Sequence, residues 1–157
     1  MMILKFILPV ARIATFCLAL LAGGLAVAAP VPPNPAVDQC LQNAANLHRV
    51  DLRLLRAVAK VESEFNPRAR NANKNGTGDT GLMQINDWWL PTLAQFGISK
   101  ASLYDPCTSA YVGAWILAKE INKHGLTWRA VGAYNSPNEA SQLIYAEKVN
   151  KALRDMP

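Results

Sequence analysis

Apolar residues recur every three or four positions over most of the chain beyond residue 36, which is the spacing of amphipathic helices. Asn, Gly and Pro interrupt this pattern and mark where one helix ends and the next begins. No stretch alternates apolar and polar residues over a useful length, and no segment repeats, so the pattern predicts a mainly α fold. The predicted helices are Val37 to about Leu47, Leu52–Glu64, a helix after Trp88-Trp89 that ends near Phe96, Pro106 to Gly125, Trp128–Ala133, and Asn138 to about Arg154.

Residues Asn66–Asp79 break the helical pattern with a run of Asn and Gly that contains almost no apolar side chains. Such composition is typical of a surface loop with tight turns. Loops of this kind often carry binding residues on an otherwise rigid scaffold. We therefore predict an exposed loop between the second and third helices.

Two glutamates stand at the end of the second predicted helix, and helical spacing places them on different faces. Leu55, Val58 and Glu62 are separated by three and four residues, so Glu62 ends the apolar stripe. Glu64 falls on the basic face, where Lys60 lies one turn earlier and can pair with it. Only Glu62 is therefore a candidate for chemistry.

Glu62 is predicted to be partly desolvated, because it lies on the face that turns towards the core. Desolvation raises the pKa of a carboxyl group. A glutamic acid that is still protonated near neutral pH can act as a general acid. Spacing alone leaves a second interpretation open, in which the carboxyl group is hydrogen-bonded to buried backbone or to a tyrosine and has no catalytic role.

The N-terminal segment has the features of a secretory signal peptide. Lys5 is followed by an apolar run over residues 13–27, and a small-x-small pattern ends at Ala28. We predict a signal peptide over 1–28, a proline-rich tail over 29–37 and a single domain over 38–157. With 157 residues, of which 51% are hydrophobic and 17% charged, the chain fits one folded domain rather than a disordered protein.

Cysteine use agrees with export. Cys17 lies in the predicted signal peptide, which leaves Cys40 and Cys107 as the one possible pair in an oxidising compartment. We predict that they form a disulfide. Two cysteines and two isolated histidines, His48 and His124, do not readily supply a metal site, so no metal or other cofactor is expected.

The net charge is +5, and it falls to +3 (14 basic against 11 acidic residues) once Lys5 and Arg12 leave with the signal peptide. A mildly basic exported protein suits an anionic matrix such as a cell wall, although a solvated basic face is an equally good interpretation. No nucleic-acid partner is predicted, and no membrane anchor is expected after signal cleavage.

Three short motifs occur in order along the chain: Glu62-Ser63, the GLMQ segment over 81–84, and Ala133-Tyr134-Asn135. Together they resemble the lytic transglycosylases of the goose-type lysozyme-like (SLT) family, and the similarity extends from Cys40 to about Leu153. The DPC segment before a YVGAWILAK helix resembles the specialised members that serve type III and type IV secretion, conjugation and pilus systems.

The resemblance implies a lysozyme-like fold and a role for each matching residue. Glu62 is implied to be the catalytic acid and base. Tyr145 matches the C-terminal tyrosine that supports this glutamate in the family. The residues implied to bind substrate are Ser63, Gly81, Leu82, Met83, Gln84, Tyr134, Asn135 and Tyr145. One of the two neighbouring tryptophans, Trp88 or Trp89, is also expected to face the cleft, although an aromatic pair is more often core.

In that family a single glutamic acid protonates the glycosidic oxygen of the β-1,4 bond between N-acetylmuramic acid and N-acetylglucosamine. The N-acetyl group assists, and the glutamate then removes a proton from the C6 hydroxyl as a 1,6-anhydro ring closes. The implied partners are peptidoglycan glycan strands in the periplasm and components of an envelope-spanning secretion or conjugation apparatus.

Asp79 introduces an alternative. It lies 17 residues after Glu62 and just before GLMQIN, an arrangement that resembles the segment of c-type lysozymes bearing their second catalytic carboxylate. A hydrolytic lysozyme using Glu62 and Asp79 therefore remains open, as does an Asx turn without catalytic function. A non-catalytic wall-binding component of a secretion machine is the third possibility.

Overall fold

The computed structural model describes residues 34–156, so the predicted signal peptide and most of the predicted tail lie outside the described residues. Six α-helices and one small sheet make up this part of the chain. The helices are α1 Pro35–His48, α2 Leu52–Ser63, α3 Leu90–Ala94, α4 Pro106–His124, α5 Trp128–Asn135 and α6 Glu139–Asp155. The mainly α fold is confirmed. Helix α1 begins at Pro35, inside the segment predicted as tail, because proline is well tolerated in the first turn of a helix.

Five of the six helices begin at a polar residue whose side chain accepts a hydrogen bond from a backbone N–H of the first turn. This arrangement satisfies one of the donors that a helix start leaves unpaired. The capping residues are Asn34, Asp51, Asp105, Thr127 and Asn138. The Asp51 side chain, for example, accepts a hydrogen bond from Leu54 N at 2.8 Å.

A three-stranded antiparallel sheet follows α2, in the order β1-β2-β3. Its strands are β1 Arg70–Ala72, β2 Gly78–Thr80 and β3 Ile85–Asn86. The prediction of a loop without strands over 66–79 is therefore wrong in part. These strands are two or three residues long and mostly polar, so they carry no alternating pattern that sequence analysis could detect.

The hydrophobic core lies between the helices. Helix α1 packs on α4, and α6 packs on both α2 and α5. Cys40 in α1 is bonded to Cys107 in the first turn of α4, with 4.6 Å between their Cα atoms, which confirms the predicted disulfide. Within residues 34–156, none of the helices has the length and hydrophobicity needed to cross a membrane.

Candidate active site

Helix α2 carries Glu62 into the wall of a cleft of about 960 Å³. Leu55 and Val58, on the same face of α2, are fully buried and fix how the helix is turned. Glu62 follows one turn later, where this face leaves the core and reaches the cleft. As predicted, Glu62 and Glu64 differ in their surroundings: Glu62 is partly buried, whereas Glu64 is exposed to solvent.

The chain turns sharply directly after the catalytic candidate. Glu64 and Phe65 both have left-handed backbones, with φ of 51° and 64°, and they end α2 without a glycine. Left-handed conformations are disfavoured for residues with a side chain, so the surrounding packing must maintain this turn.

The ion pairs within residues 34–156 do not include the one predicted between Lys60 and Glu64.

Ser63 holds the end of α2 against the segment that precedes β3. Its Oγ donates a hydrogen bond of 2.7 Å to the carbonyl oxygen of Leu82 and also lies 3.3 Å from that of Ala59. Ser63 does not line the cleft. The hydroxyl thus makes a positioning contact beside Glu62, and substrate binding by Ser63 stays a prediction.

Tyr145 of α6 supports Glu62 directly. Its hydroxyl donates a hydrogen bond of 2.5 Å to Glu62 Oε1, although 83 residues separate the two in sequence. Tyr145 is 5% exposed and lies behind the glutamate rather than on the cleft surface. The ring of Tyr134 stacks on it at 6.4 Å, and the Tyr134 hydroxyl donates to the carbonyl oxygen of Met83 at 2.8 Å. The α5–α6 pair thus fixes the position of the carboxyl group.

Burial raises the pKa of Glu62 from its usual value to about 7, and the negative charge of Asp79 acts in the same direction. The hydrogen bond from Tyr145 and the positive charge of Lys148 oppose this rise, because both stabilise the carboxylate. Burial dominates. A large fraction of Glu62 is therefore protonated near neutral pH, as a general acid requires.

The GLMQ segment (residues 81–84) is partly buried in the core and reaches the cleft at Gln84. Gly81 has φ of 81°, and a Cβ at this position would collide with the carbonyl oxygen of Leu103. Backbone conformation and packing therefore both require a glycine at this position. Leu82 and Met83 are fully buried, so their predicted contact with substrate is wrong. Gln84 reaches the cleft from a left-handed backbone with φ of 47°.

Asp79 lies in the middle of β2 and lines the same cleft as Glu62. Its Oδ1 accepts a hydrogen bond from Asn86 at 2.6 Å, and its Oδ2 accepts from Asn71 at 3.2 Å and Asn73 at 3.0 Å. Asn71 and Asn86 face Asp79 across the sheet in strict register. The interpretation of Asp79 as the end of an Asx turn is wrong, because the residue belongs to a paired strand.

An ion pair of Asp87, the residue directly after β3, helps to fix the strand that carries Asp79. Asp87 Oδ2 accepts hydrogen bonds of 2.8 Å from the Gly78 backbone N–H and from Lys100 Nζ. These donors hold the pKa of Asp87 below its usual value, with the Lys100 hydrogen bond the main cause. Asp79 is thereby anchored both through its own carboxylate and through the neighbouring backbone.

Five predicted site residues meet in the cleft: Glu62, Asp79, Gln84, Tyr134 and Asn135. Trp88 also lines it and is 70% exposed, so a tryptophan does face the cleft. Its neighbour Trp89 contributes to the wall while packing edge-to-face against Trp115.

Other residues of the cleft were not predicted from sequence. They are Asn73, Lys74, Asn75, Thr77, Ile85, Asn86, Ile116, Lys119, Glu120, Lys123, His124, Arg129, Ala133, Ser136, Pro137 and Gln142. Two features of the sequence could have indicated these cleft residues. The asparagines of 66–79 were dense enough to suggest a polar cluster, and the α4 residues recur at helical spacing.

Within residues 34–156, no group of three or more His, Cys, Asp or Glu side chains is arranged to hold a metal ion.

Residues 39–152 match the family described as Transglycosylase SLT domain. The chain belongs to the SLT transglycosylase family. It is 40% identical over 121 residues to "Invasion protein IagB" of Salmonella typhi, covering 74% of this chain and 76% of that protein. It is 39% identical over 122 residues to "Protein IpgF" of Shigella flexneri, covering 74% and 80%. It is 32% identical over 126 residues to "Peptidoglycan-binding-like protein" of Escherichia coli O157:H7, covering 73% and 75%.

Membership in the SLT family makes the protein a peptidoglycan lytic transglycosylase and confirms the resemblance on which the site was predicted. The family match runs from within α1 to within α6 and includes every residue that lines the described cleft. Among the carboxyl groups of this cleft, Glu62 has a pKa raised to about 7 and also accepts a hydrogen bond from a tyrosine. The geometry is therefore what a general acid in a glycan-cleaving enzyme needs.

Replacing Tyr145 by Phe tests the contact with Glu62. The hydroxyl stabilises the carboxylate, so its removal is expected to raise the pKa of Glu62 further and to move the basic limb of the pH–rate profile to higher pH. The maximal rate should fall by about tenfold or more, because the carboxyl group loses its orientation. Tyr134→Phe, which removes a hydroxyl that bonds backbone instead, is the matched control and should leave the limb in place. An unchanged profile in Tyr145→Phe would contradict the assigned contact.

Proposed function

We propose that this SLT enzyme cleaves the β-1,4 bond between N-acetylmuramic acid and N-acetylglucosamine with formation of 1,6-anhydromuramic acid. The protonated Glu62 donates its proton to the glycosidic oxygen while the bond breaks. The resulting carboxylate accepts the proton of the C6 hydroxyl as that oxygen closes the anhydro ring, so Glu62 ends the cycle protonated. The observation that carries this proposal is the partly buried Glu62, with its pKa near 7 and its hydrogen bond to Tyr145.

A single group can perform both steps if its pKa lies close to the working pH. A group with a much lower pKa would seldom hold the proton that it must donate, and one with a much higher pKa would be a poor donor. The value near 7 lies between these limits. Tyr145 supports both forms geometrically, since its hydroxyl keeps Glu62 in one orientation while the proton moves.

Asp79 favours a second candidate, a hydrolase, because it lines the cleft that contains Glu62. Its hydrogen bonds argue for a different use. Three amide N–H donors already engage its two oxygens, and a carboxylate has roughly four acceptor positions. Attack on carbon, or removal of a proton from water, would compete with these bonds. An oriented anion of this kind is better suited to stabilise positive charge on an oxocarbenium-like transition state.

Replacing Asp79 by Asn removes this charge and tests its role. Because the Asp79 charge raises the pKa of Glu62, the basic limb of the pH–rate profile should move to lower pH. The maximal rate is expected to fall by roughly tenfold to a hundredfold, with anhydro products retained, as for the loss of one electrostatic contact. A complete loss of cleavage with an intact fold would instead make Asp79 an essential second carboxylate.

Mass spectrometry of the glycan ends tests the reaction type. Purified sacculi digested by the protein should release muropeptides that end in anhydromuramic acid and are lighter by one water than the hydrolysed products. Reducing ends without anhydro ends would favour the hydrolase. The absence of any release by a folded protein would favour a non-catalytic wall-binding role.

The place of action is also part of the proposal. The predicted signal peptide would direct the enzyme to the periplasm, where it would open the wall locally for an envelope-spanning secretion, conjugation or pilus assembly. Support comes from the similarity to a protein named for invasion. N-terminal sequencing of the exported protein should begin at Ala29, and in-cell crosslinking should recover a component of such an assembly. A crosslinking survey without one would count against this part.

A further inference from the structure

Helix α4 presents a charged face to the cleft. Ile116, Lys119, Glu120 and Lys123 all line the cleft, and their spacing of three and four residues places them on one side of the helix. The face begins apolar, near the middle of α4, and becomes basic towards its C-terminus. The substrate path thus borders two lysines that no catalytic role explains.

Two other charged side chains lie near these lysines. Arg129 pairs with Glu139 at 2.9 Å, whereas Glu120 lies 3.6 Å from His124 Nε2 on the same helix and adds one negative charge to this face. Within residues 34–156, no carboxylate forms an ion pair with Lys119 or Lys123. Both are exposed, and they stand one helical turn apart, where like charges repel.

Lys119 is nevertheless held in place. Its Nζ lies 5.1 Å from the ring centroid of Trp89, and that ring packs edge-to-face against Trp115. A cation over an aromatic face is attracted to the ring. Lys119 therefore presents its charge at a defined point on the cleft wall.

The acidic groups of the cleft offset this charge only in part. Glu120 contributes one negative charge against the two lysines of α4. Asp79 is a charged group on the sheet side, where three amides bind it, and Glu62 holds its proton for much of the time near neutral pH. Lys74, on the turn between β1 and β2, adds a further positive charge to the cleft. An anionic group entering from solvent would meet a net positive environment beside α4.

We propose that Lys119 and Lys123 form a subsite for the carboxylates that project from muramic acid residues of the glycan. Such a carboxylate is either that of the lactyl ether itself, in a strand without peptides, or one carried by the attached stem peptide. Neutral polymers of N-acetylglucosamine carry neither group. The subsite thus distinguishes muramyl glycans from neutral ones, and it rests on the proposed function only in assuming that glycan occupies the cleft.

Binding measurements in the Glu62→Gln background test the subsite without cleavage. Three probes are compared: peptide-bearing glycan fragments from sacculi, the same fragments stripped of peptides by an amidase, and chitohexaose. Lys119→Gln/Lys123→Gln is expected to raise the Kd for peptide-bearing fragments by about three- to tenfold, in the range of two exposed charge pairs, and to leave chitohexaose binding unchanged. The difference should shrink as salt is added.

Lys151→Gln is the matched control, because Lys151 is an exposed lysine of α6 outside the cleft. Weakened binding of the peptide-bearing probe alone assigns the stem-peptide carboxylate. Weakened binding of the stripped probe alone assigns the free lactyl carboxylate, and weakened binding of both shows that the subsite accepts either; each of these results supports the subsite. Equal weakening of all three probes, no weakening, or the same effect from Lys151→Gln would overturn it. Failure of the parent protein to bind any probe would contradict the proposed function instead.

Discussion

Glu62→Gln is expected to abolish glycan cleavage, lowering the rate by about 10²- to 10⁴-fold or more. Glutamine preserves the shape of the side chain but cannot donate a proton to the glycosidic oxygen or accept one from the C6 hydroxyl. Release of soluble muropeptides from purified sacculi measures the effect. Glu64→Gln is the matched control, since Glu64 is exposed at the end of the same helix and should be dispensable.

The same substitution should not destabilise the fold, and its effect on stability should depend on pH in a defined direction. The folded-state pKa of Glu62 is raised to about 7, so ionisation of this group opposes folding as pH rises through that value. The glutamine side chain of the variant would remain neutral throughout. Below about pH 4 the two proteins should be about equally stable. The advantage of the variant should grow between the unfolded pKa of 4.5 and the folded pKa of about 7, and above pH 8 it should reach about 3 kcal/mol. Substantial residual cleavage, or an unfolded variant, would contradict the assigned role.

Removing the disulfide is expected to give the largest loss of stability. Cys40 and Cys107 are 67 residues apart in sequence, and the bridge ties the first helix to the start of α4. Replacing both by Ala should lower the free energy of unfolding by about 4 kcal/mol in the chain-entropy model, because the unfolded chain regains the freedom of a long loop. Urea denaturation measures the change.

Reduction of the wild-type protein should reproduce this loss, which separates the effect of the bond from that of the side chains. Neither cysteine lines the cleft, so the variant should keep its cleavage activity at temperatures where it is folded. A loss below about 1 kcal/mol, far under the usual range for a native disulfide, would show that helix packing alone holds α1 against α4.

The helices could be predicted because their signals are local. Asp51 and Asp105 cap helices at the positions that the sequence indicates, since capping depends on residues within one turn. The short sheet could not be predicted, because its pairing depends on contacts between segments with too few apolar residues to show a period. Helix α1 begins earlier than predicted because Pro35 was interpreted as a tail residue rather than as a first-turn residue.

Glu62 was placed on the apolar face by spacing alone, but its partner was not. Tyr145 lies 83 residues away, and no periodic signal connects the two, so only the family resemblance suggested it. Leu82 and Met83 show what a sequence motif cannot predict. A motif locates a segment of the site in the chain, but it does not say which of its side chains point into the core and which line the cleft.

Asp79 illustrates how tertiary structure settles an ambiguity of sequence. An Asn- and Gly-rich segment is compatible with a turn, and Asp is common in turns. The structure instead uses the asparagines as amide donors to one carboxylate, across paired strands. The composition carried the necessary groups, but only the strand register brings them together.

Digestion of purified sacculi in water enriched with heavy oxygen, with wild type beside Glu62→Gln, tests the central claim most directly. Hydrolysis inserts an oxygen atom from water into the new reducing end, whereas closure of the anhydro ring uses the C6 oxygen of the sugar itself. The predicted result is unlabelled anhydromuramic ends from the wild type and none from the variant. Labelled reducing ends as the primary product, or anhydro ends from Glu62→Gln at the wild-type rate, would contradict it.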